Sequence, residues 1–178
     1  MHIAMIAAIS QDGFLTRGDD PDPRHWTSDE DKAHFKNIIQ QYNLLVQGRN
    51  TYETYGRRVP AKGRMAIVLV HEPEEYADQA MPGRLEFKSM TPKEIVKTYQ
   101  NKFDKLLVLG GSYVFEEFLK AGLMDEIWLT IEPVTNGSGV TLLKSGKPLE
   151  EVVKNLPEPE VKKLNDKGTL LKHYTLVS

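Results

Sequence analysis

KLLVLGGSYVFEEFL, residues 105–119, is a short apolar run that passes through two glycines into a helical pattern. The run has the continuous hydrophobicity of a strand that is covered on both faces. Gly122 follows where the end of a helix is expected, and the apolar residues before it repeat at helical spacing: Val114, Phe115, Phe118 and Leu119. The stretch therefore predicts a strand, a turn at Gly110–Gly111 and a helix that begins at about Ser112.

Strand-like runs recur along the chain and alternate with helical patterns. The other four are IAMIAAI (3–9), NLLVQG (43–48), AIVLV (66–70) and EIWLTIEPV (126–134). Between the first two lies a helical apolar face formed by Phe35, Ile38, Ile39 and Tyr42. This alternation predicts an α/β fold with a mostly parallel central sheet and helices on both of its faces.

The C-terminal segment has a different pattern. Residues 160–177 contain two strand-like runs around Asn165-Asp166-Lys167-Gly168, which predicts an antiparallel hairpin. Residues 71–92 are rich in proline, glutamate and glycine, which is typical of a loop. No linker-like segment divides the chain, so we expect one domain over residues 1–178.

The composition excludes several classes of protein. The net charge is −2, with 23 basic and 25 acidic residues well mixed, so we expect neither nucleic acid nor an anionic membrane as a partner. The chain has no cysteine and no signal-like or membrane-spanning segment, which fits a cytoplasmic protein. Its five histidines are scattered without the spacing of metal ligands, so we expect no metal site.

WTSDEDKAHF, residues 26–35, places three acids in the first turn of a predicted helix. Four residues before Phe35 on the apolar stripe lies Asp31, which would therefore face the protein. Two capping boxes are possible at this helix start, one from Ser28 to Asp31 and one from Thr27 to Glu30. The first gives Asp31 a structural role, whereas the second leaves its carboxylate free for a ligand.

Two strands are each followed by glycine and a helix start. Gly110 and Gly111 precede one helix, and Gly48 precedes the other, with Arg49 beside it and Thr51 as the predicted N-cap. Two such openings in one sheet are typical of a site for an extended phosphate-containing ligand such as NADPH.

Taken in order, these motifs resemble the dihydrofolate reductase fold family over nearly the whole chain. MIAAISQDGFL (5–15) is similar to the first strand and turn of the family, and GRNTYETYG (48–56) to its cofactor-phosphate segment. Trp26, Asp31 and Phe35 have the spacing of its substrate-pocket helix. LGGSYVFEEFL (109–119) and DEIWLTIEPVTNGSGVTLL (125–143) complete the resemblance.

The resemblance implies an NADPH-dependent reductase that reduces a pterin-type ring, with 7,8-dihydrofolate as the first candidate substrate. It implies a pocket carboxylate at Asp31 that is supported by the hydroxyl of Thr130. The implied substrate contacts are Ile6, Ala8, Trp26, Phe35, Arg64 and Leu109. The implied cofactor contacts are Ala8, Leu15, Gly48, Arg49, Thr51, His71, Gly110, Gly111, Ser112, Tyr113 and Val114.

Two alternatives remain open at this stage. GSGVTLL and the C-terminal segment resemble the riboflavin-biosynthesis reductase branch, which is usually homodimeric and would imply a phosphoribosylamino-pyrimidine substrate. That substrate needs a phosphate site, for which Arg17, Arg24, Arg57 and Arg58 are candidates. The second alternative is a non-catalytic nucleotide-binding relative that keeps the fold.

Overall fold

The computed structural model describes residues 1–176 and confirms the predicted α/β class. Val177, the last residue of the predicted hairpin, and Ser178 lie outside the described residues. The strands within the described chain are β1 (His2–Ser10), β2 (Leu44–Gly48), β3 (Met65–Leu69), β4 (Leu85–Lys88), β5 (Lys105–Gly110), β6 (Glu126–Glu132), β7 (Glu160–Lys163) and β8 (Leu170–Thr175).

These strands form one twisted sheet in the order β4-β3-β2-β5-β1-β6-β8-β7. The pairs from β4 to β6 are parallel, whereas β8 runs antiparallel to β6 and β7 antiparallel to β8. The predicted parallel sheet and C-terminal hairpin are thus confirmed. Parallel strands end at the same edge of a sheet, so the chain leaves β1, β2 and β5 on one side of the molecule.

Five α-helices cover the two faces of the sheet in the described residues: α1 (Asp29–Ile39), α2 (Arg49–Thr54), α3 (Pro92–Tyr99), α4 (Ser112–Lys120) and α5 (Leu149–Val153). Alternate residues of β1 point to opposite faces, so Met5 joins the layer under α3 and α4 while Ile6 joins the layer under α1 and α2. Each helix in residues 1–176 is too short or too polar to cross a bilayer.

Two local predictions were wrong, and a third was confirmed. The predicted loop of residues 71–92 contains a short 3-10 helix and the strand β4, whose four residues give too little alternation to be recognised. Thr51 does not cap α2, because that helix already begins at Arg49 with Gly48 as its N-cap. The glycine predicted at the end of α4 is confirmed: Ala121 is the C-cap, and Gly122 follows it with a left-handed φ of 65°.

Candidate active site

A cleft of about 730 Å³ opens at the sheet edge where β1, β2 and β5 end. The helices α1 and α2 and the start of α4 form its walls, and the segment after β1 covers part of it. The predicted site residues that line it are Ile6, Ala8, Leu15, Asp31, Phe35, Thr51, Leu109, Gly111 and Ser112. Residues that are distant in sequence therefore meet in one cavity.

Asp31 is the buried acid of this cleft. Its residue surface is only 8% exposed, and the buried hydroxyl residue Thr130 of β6 lies behind it. Burial raises the pKa of Asp31 from its ordinary value of 3.8 to about 6, and the charge of Glu132 acts in the same direction. Hydrogen bonding with Thr130 and Thr27 opposes the rise. Asp31 can therefore exchange a proton near neutral pH.

The first turn of α1 explains why this carboxylate is free to face the cleft. Ser28 is the N-cap, and its Oγ accepts the backbone N–H of Asp31 at 3.2 Å. In a capping box the third helical residue would accept the N–H of the cap residue in return. Here Glu132 accepts the Ser28 N–H at 2.7 Å. The Thr27–Glu30 box is wrong, because Ser28 is the N-cap. The Ser28–Asp31 box is only half formed, because Glu132 and not Asp31 accepts the Ser28 N–H, and the Asp31 side chain is left free.

Aromatic and basic side chains form the wall opposite β1. Phe35 of α1 and Tyr55, which follows α2, stack with their ring centroids 6.3 Å apart. Arg24 forms an ion pair with Asp22, and its guanidinium lies 5.2 Å from the centroid of Tyr55. Lys32, Lys36 and Arg58 also line the cleft. A flat ring with an anionic substituent would match this wall.

Glycines join α2 and α4 closely at the other end of the cleft. A Cβ atom on Gly48 would lie 3.2 Å from Val114 Cγ2, and one on Gly111 would lie 3.4 Å from Thr51 Oγ1. Gly110 has a φ of 100° and is joined to Gly111 by a cis peptide bond. Within the described chain no side chain caps α4, so the first N–H groups of this nine-residue helix are available to a phosphate.

The order of these elements and the content of the site point to one family. A family model for dihydrofolate reductase matches residues 2–137, which is more than half of the chain. The chain belongs to the dihydrofolate reductase family. The resemblance noted in the sequence is thus confirmed.

Individual proteins of known sequence or structure are similar to this chain at low identity. The uncharacterized protein YyaP of Bacillus subtilis is 23% identical over 150 residues, 79% of each chain. Dihydrofolate reductase from Enterococcus faecalis, solved with NADP(H) and RAB-propyl, has a TM-score of 0.65 and 23% identity, with 98% and 95% of the two chains covered. A Thermotoga maritima diaminohydroxyphosphoribosylaminopyrimidine deaminase/5-amino-6-(5-phosphoribosylamino)uracil reductase has a TM-score of 0.71 and 16% identity, with 99% of this chain and 56% of that one covered. The TM-scores of these two solved structures show that they share the fold of this chain.

Several residues that the family resemblance implicated lie outside the cleft. Trp26 is buried beside α1 but does not line the cavity. Arg64 borders a separate surface depression, where its guanidinium donates to the backbone oxygen of Gln40 at 2.8 Å. Its position does not support the predicted contact with a substrate carboxylate. The basic residues that line the cleft are instead Arg24, Arg58, Lys32 and Lys36.

The remaining predicted cofactor residues lie around the rim. Gly48 pairs with Leu69 in the parallel register of β2 and β3, so Arg49 and His71 leave the same sheet edge, and both are exposed. Tyr113 is exposed in the first turn of α4, whereas Val114 is buried against Gly48. Gly110 is buried under Phe115. None of these residues lines the cleft itself.

Sequence reasoning did not identify Glu132 or Tyr55. Glu132 lies two residues after Thr130, so both side chains share one face of β6. An acidic residue two positions after Thr130 in a predicted strand could have indicated a second carboxylate on the Asp31 side of the sheet. No sequence pattern indicated Tyr55, because the position of its ring depends on how α2 ends beside α1.

The burial of Asp31 predicts that the stability of the fold depends on pH. Its folded pKa of about 6 lies above the ordinary 3.8 of an unfolded chain. This contribution to stability is complete below pH 3.8 and is lost as the pH rises through 6. Linkage sets the total at about 3 kcal/mol. Asp31→Asn should therefore gain free energy of unfolding relative to the wild type as the pH rises from 4 to 7.

Urea unfolding of both proteins at pH 4, 5.5 and 7 measures this difference. Asp29→Asn is the matched control, since Asp29 lies in the same helical turn with a side chain that is 96% exposed. Its difference from the wild type should change little with pH. A constant difference for Asp31→Asn would contradict the raised pKa.

Proposed function

We propose that this chain is an NADPH-dependent reductase that transfers a hydride to a pterin-type ring, with 7,8-dihydrofolate as the first candidate substrate and tetrahydrofolate as its product. The observation that carries the proposal is the buried carboxylate of Asp31 at the end of an aromatic cleft. A buried carboxylate is stabilised by a ligand that donates hydrogen bonds to it. The amino group and ring N–H of a pterin are such donors.

The wall of the cleft suits the shape of that ring. The parallel rings of Phe35 and Tyr55 offer a flat apolar surface, and Ile6 and Leu109 lie on the sheet side. A ring stacked here would have its polar edge directed toward Asp31. The family's solved members include one bound to NADP(H), which supports a nicotinamide cofactor for this chain.

The glycine end of the cleft fits such a cofactor. Gly48 and Gly111 carry no side chains where α2 and α4 approach each other, so phosphates could reach the N–H groups at the start of α4. Ser112 and Thr51 add hydroxyl groups to this surface. Arg49 and His71 at the rim would meet a 2′-phosphate, which supports NADPH over NADH.

The reduction adds a hydride to a ring carbon and a proton to the neighbouring nitrogen. In the proposed reaction, the hydride would come from NADPH held at the glycine end of the cleft, which would be left as NADP⁺. Asp31 orients the ring through its hydrogen bonds and, with a pKa near 6, favours the protonated ring nitrogen. Thr130 and Thr27 hold the carboxylate in place.

A second candidate substrate is a phosphoribosylamino-pyrimidine. Arg58 lines the cleft and is exposed, so it could bind the phosphate of such a substrate. Arg64, which would bind the glutamate of a folate, lies elsewhere. A pyrimidine would use the same contacts with Asp31, since it also presents an amino group and a ring N–H.

Loss of NADPH absorbance with each of the two substrates tests the proposal. Turnover of dihydrofolate, together with tight binding of methotrexate, would support 7,8-dihydrofolate as the substrate. Turnover of the phosphoribosylamino-pyrimidine alone would favour the second candidate. Absence of NADPH binding to the wild type would refute the reductase proposal.

Arg58→Gln separates the two substrates further. It should raise the KM for the phosphorylated pyrimidine by about tenfold, because a charge-assisted contact of about 1.4 kcal/mol is lost. Arg57→Gln is the matched control, since the Arg57 guanidinium approaches Glu53 at 4.0 Å and does not line the cleft. Equal effects of the two variants would exclude a specific phosphate contact at Arg58.

A further inference from the structure

Glu132 is a second buried carboxylate beneath the start of α1. It ends β6 and is only 3% exposed. Its Oε1 accepts the backbone N–H and the hydroxyl of Ser28, both at 2.7 Å, and its Oε2 accepts the hydroxyl of Thr169 at 2.8 Å. All three partners donate, which matches an ionised carboxylate because that group has only acceptors.

These contacts link three parts of the fold at one point. Ser28 is the N-cap of α1, Thr169 precedes β8, and Asn165 in the hairpin turn donates to Thr169 Oγ1 at 2.9 Å. A chain of hydrogen bonds runs from the Asp31 N–H to Ser28 Oγ, and from the Ser28 hydroxyl to Glu132. Glu132 therefore fixes the turn of α1 from which Asp31 projects.

The two carboxylates also interact through their charges. Thr130 and Glu132 project from the same face of β6, about 7 Å apart along the strand, and Thr130 is the residue that lies behind Asp31. The charge of Glu132 raises the pKa of Asp31. Lys32 on α1 acts in the opposite direction, and Tyr55 after α2 stays neutral because its own pKa is raised to about 12.

We propose that Glu132 is a positioning residue of the reductase site, which anchors the N-terminal turn of α1 and uses its charge to keep a proton on Asp31 for delivery toward the substrate ring. The inference rests on the proposed function for the use of that proton. The hydrogen bonds of Glu132 are present in the protein without any ligand. Two buried carboxylates in different surroundings thus take different roles: Glu132 accepts hydrogen bonds from Ser28 and Thr169, and Asp31 exchanges a proton.

The test is a ¹³C NMR titration of the side-chain carboxyls of Asp31 and Glu132 in the full chain without ligand. We expect Glu132→Gln to lower the midpoint of Asp31 by about half a pH unit or more, because a neighbouring negative charge is removed. Glu132→Asp keeps the charge and should retain the raised midpoint. An unchanged or higher midpoint in Glu132→Gln would overturn the proposal.

Glu116→Gln is the matched control for the loss of a buried glutamate. Glu116 is also buried, accepts the backbone N–H of Ser145 at 2.8 Å and lies on α4, away from Asp31. It should leave the Asp31 midpoint unchanged. An equal decrease in this variant would show a general effect of lost stability and would overturn the specific role of Glu132.

If Glu132→Gln does not fold, the wild-type titration still decides. A wild-type midpoint of Asp31 at or below its ordinary value of 3.8 would overturn the proposal, because no proton would then be kept on Asp31. In an active enzyme, the pH profile of kcat/KM should move to lower pH in Glu132→Gln, with about threefold less activity at pH 7. A wild type without turnover on any substrate would refute the proposed function while leaving the NMR result valid.

Discussion

Asp31→Asn is expected to reduce reductase turnover by about 10²–10⁴-fold, which is the range for loss of a group that supplies or directs a proton. Asparagine keeps the size of the side chain but cannot exchange a proton, and its amide presents a donor where the substrate ring needs an acceptor. NADPH binding should persist, because the glycine end of the cleft lies away from the N-terminal turn of α1. Loss of NADPH absorbance measures the turnover, and nucleotide fluorescence measures the binding.

Asp29→Asn provides the control for this experiment. It makes the same chemical change in the same turn of α1, but the Asp29 carboxylate points to solvent and pairs with Lys32 at 3.2 Å. Its turnover should stay within about twofold of the wild type, as expected for an exposed charge. If Asp31→Asn kept a third or more of the wild-type activity, Asp31 would not be the proton-directing group.

Gly110→Ala is expected to lower the free energy of unfolding by about 2–5 kcal/mol. The φ of 100° at Gly110 is one that side-chain-bearing residues rarely adopt. A Cβ atom there would also lie 2.8 Å from Cζ and 2.9 Å from Cε2 of Phe115. Phe115 is buried in the core layer under α4, so its ring cannot move aside without disturbing that layer.

Gly122→Ala separates the two causes of this loss. Gly122 also has a positive φ, 65°, but a Cβ atom would have nothing within 4 Å. We expect a loss of about 1–2 kcal/mol from the backbone conformation alone. Urea unfolding at pH 7 gives both values, and equal losses in the two variants would show that the contact with Phe115 contributes nothing.

Gly110 also affects the cleft, because it contacts Phe115. Phe115 lines the cavity and also packs in the core, so a change at Gly110 would alter the surface on which a cofactor would lie. Gly110→Ala should therefore weaken NADPH binding, whereas Asp31→Asn should not. The contrast assigns the two ends of the cleft to cofactor and substrate.

The sequence by itself determined the elements and the family. Continuous apolar runs predicted β1, β2, β3, β5 and β6, because a strand that is covered on both faces is apolar along its whole length. The stripe from Asp31 to Phe35 placed one acid of three toward the protein, since helical spacing is a local property. The glycines before α2 and α4 were recognised for the same reason.

Only the tertiary structure decided which residues share the cleft and what state they adopt. Glu132 and Ser28 are 104 positions apart, yet Glu132 accepts the backbone N–H of Ser28 that Asp31 would accept in a complete Ser28–Asp31 capping box. The family resemblance predicted a substrate contact for Arg64, but its guanidinium donates to the backbone oxygen of Gln40 at the end of α1. Burial sets the pKa of Asp31, and burial depends on the packing of α1 against β6. Local patterns fix local structure, whereas contacts and electrostatics between distant segments exist only once the chain has folded.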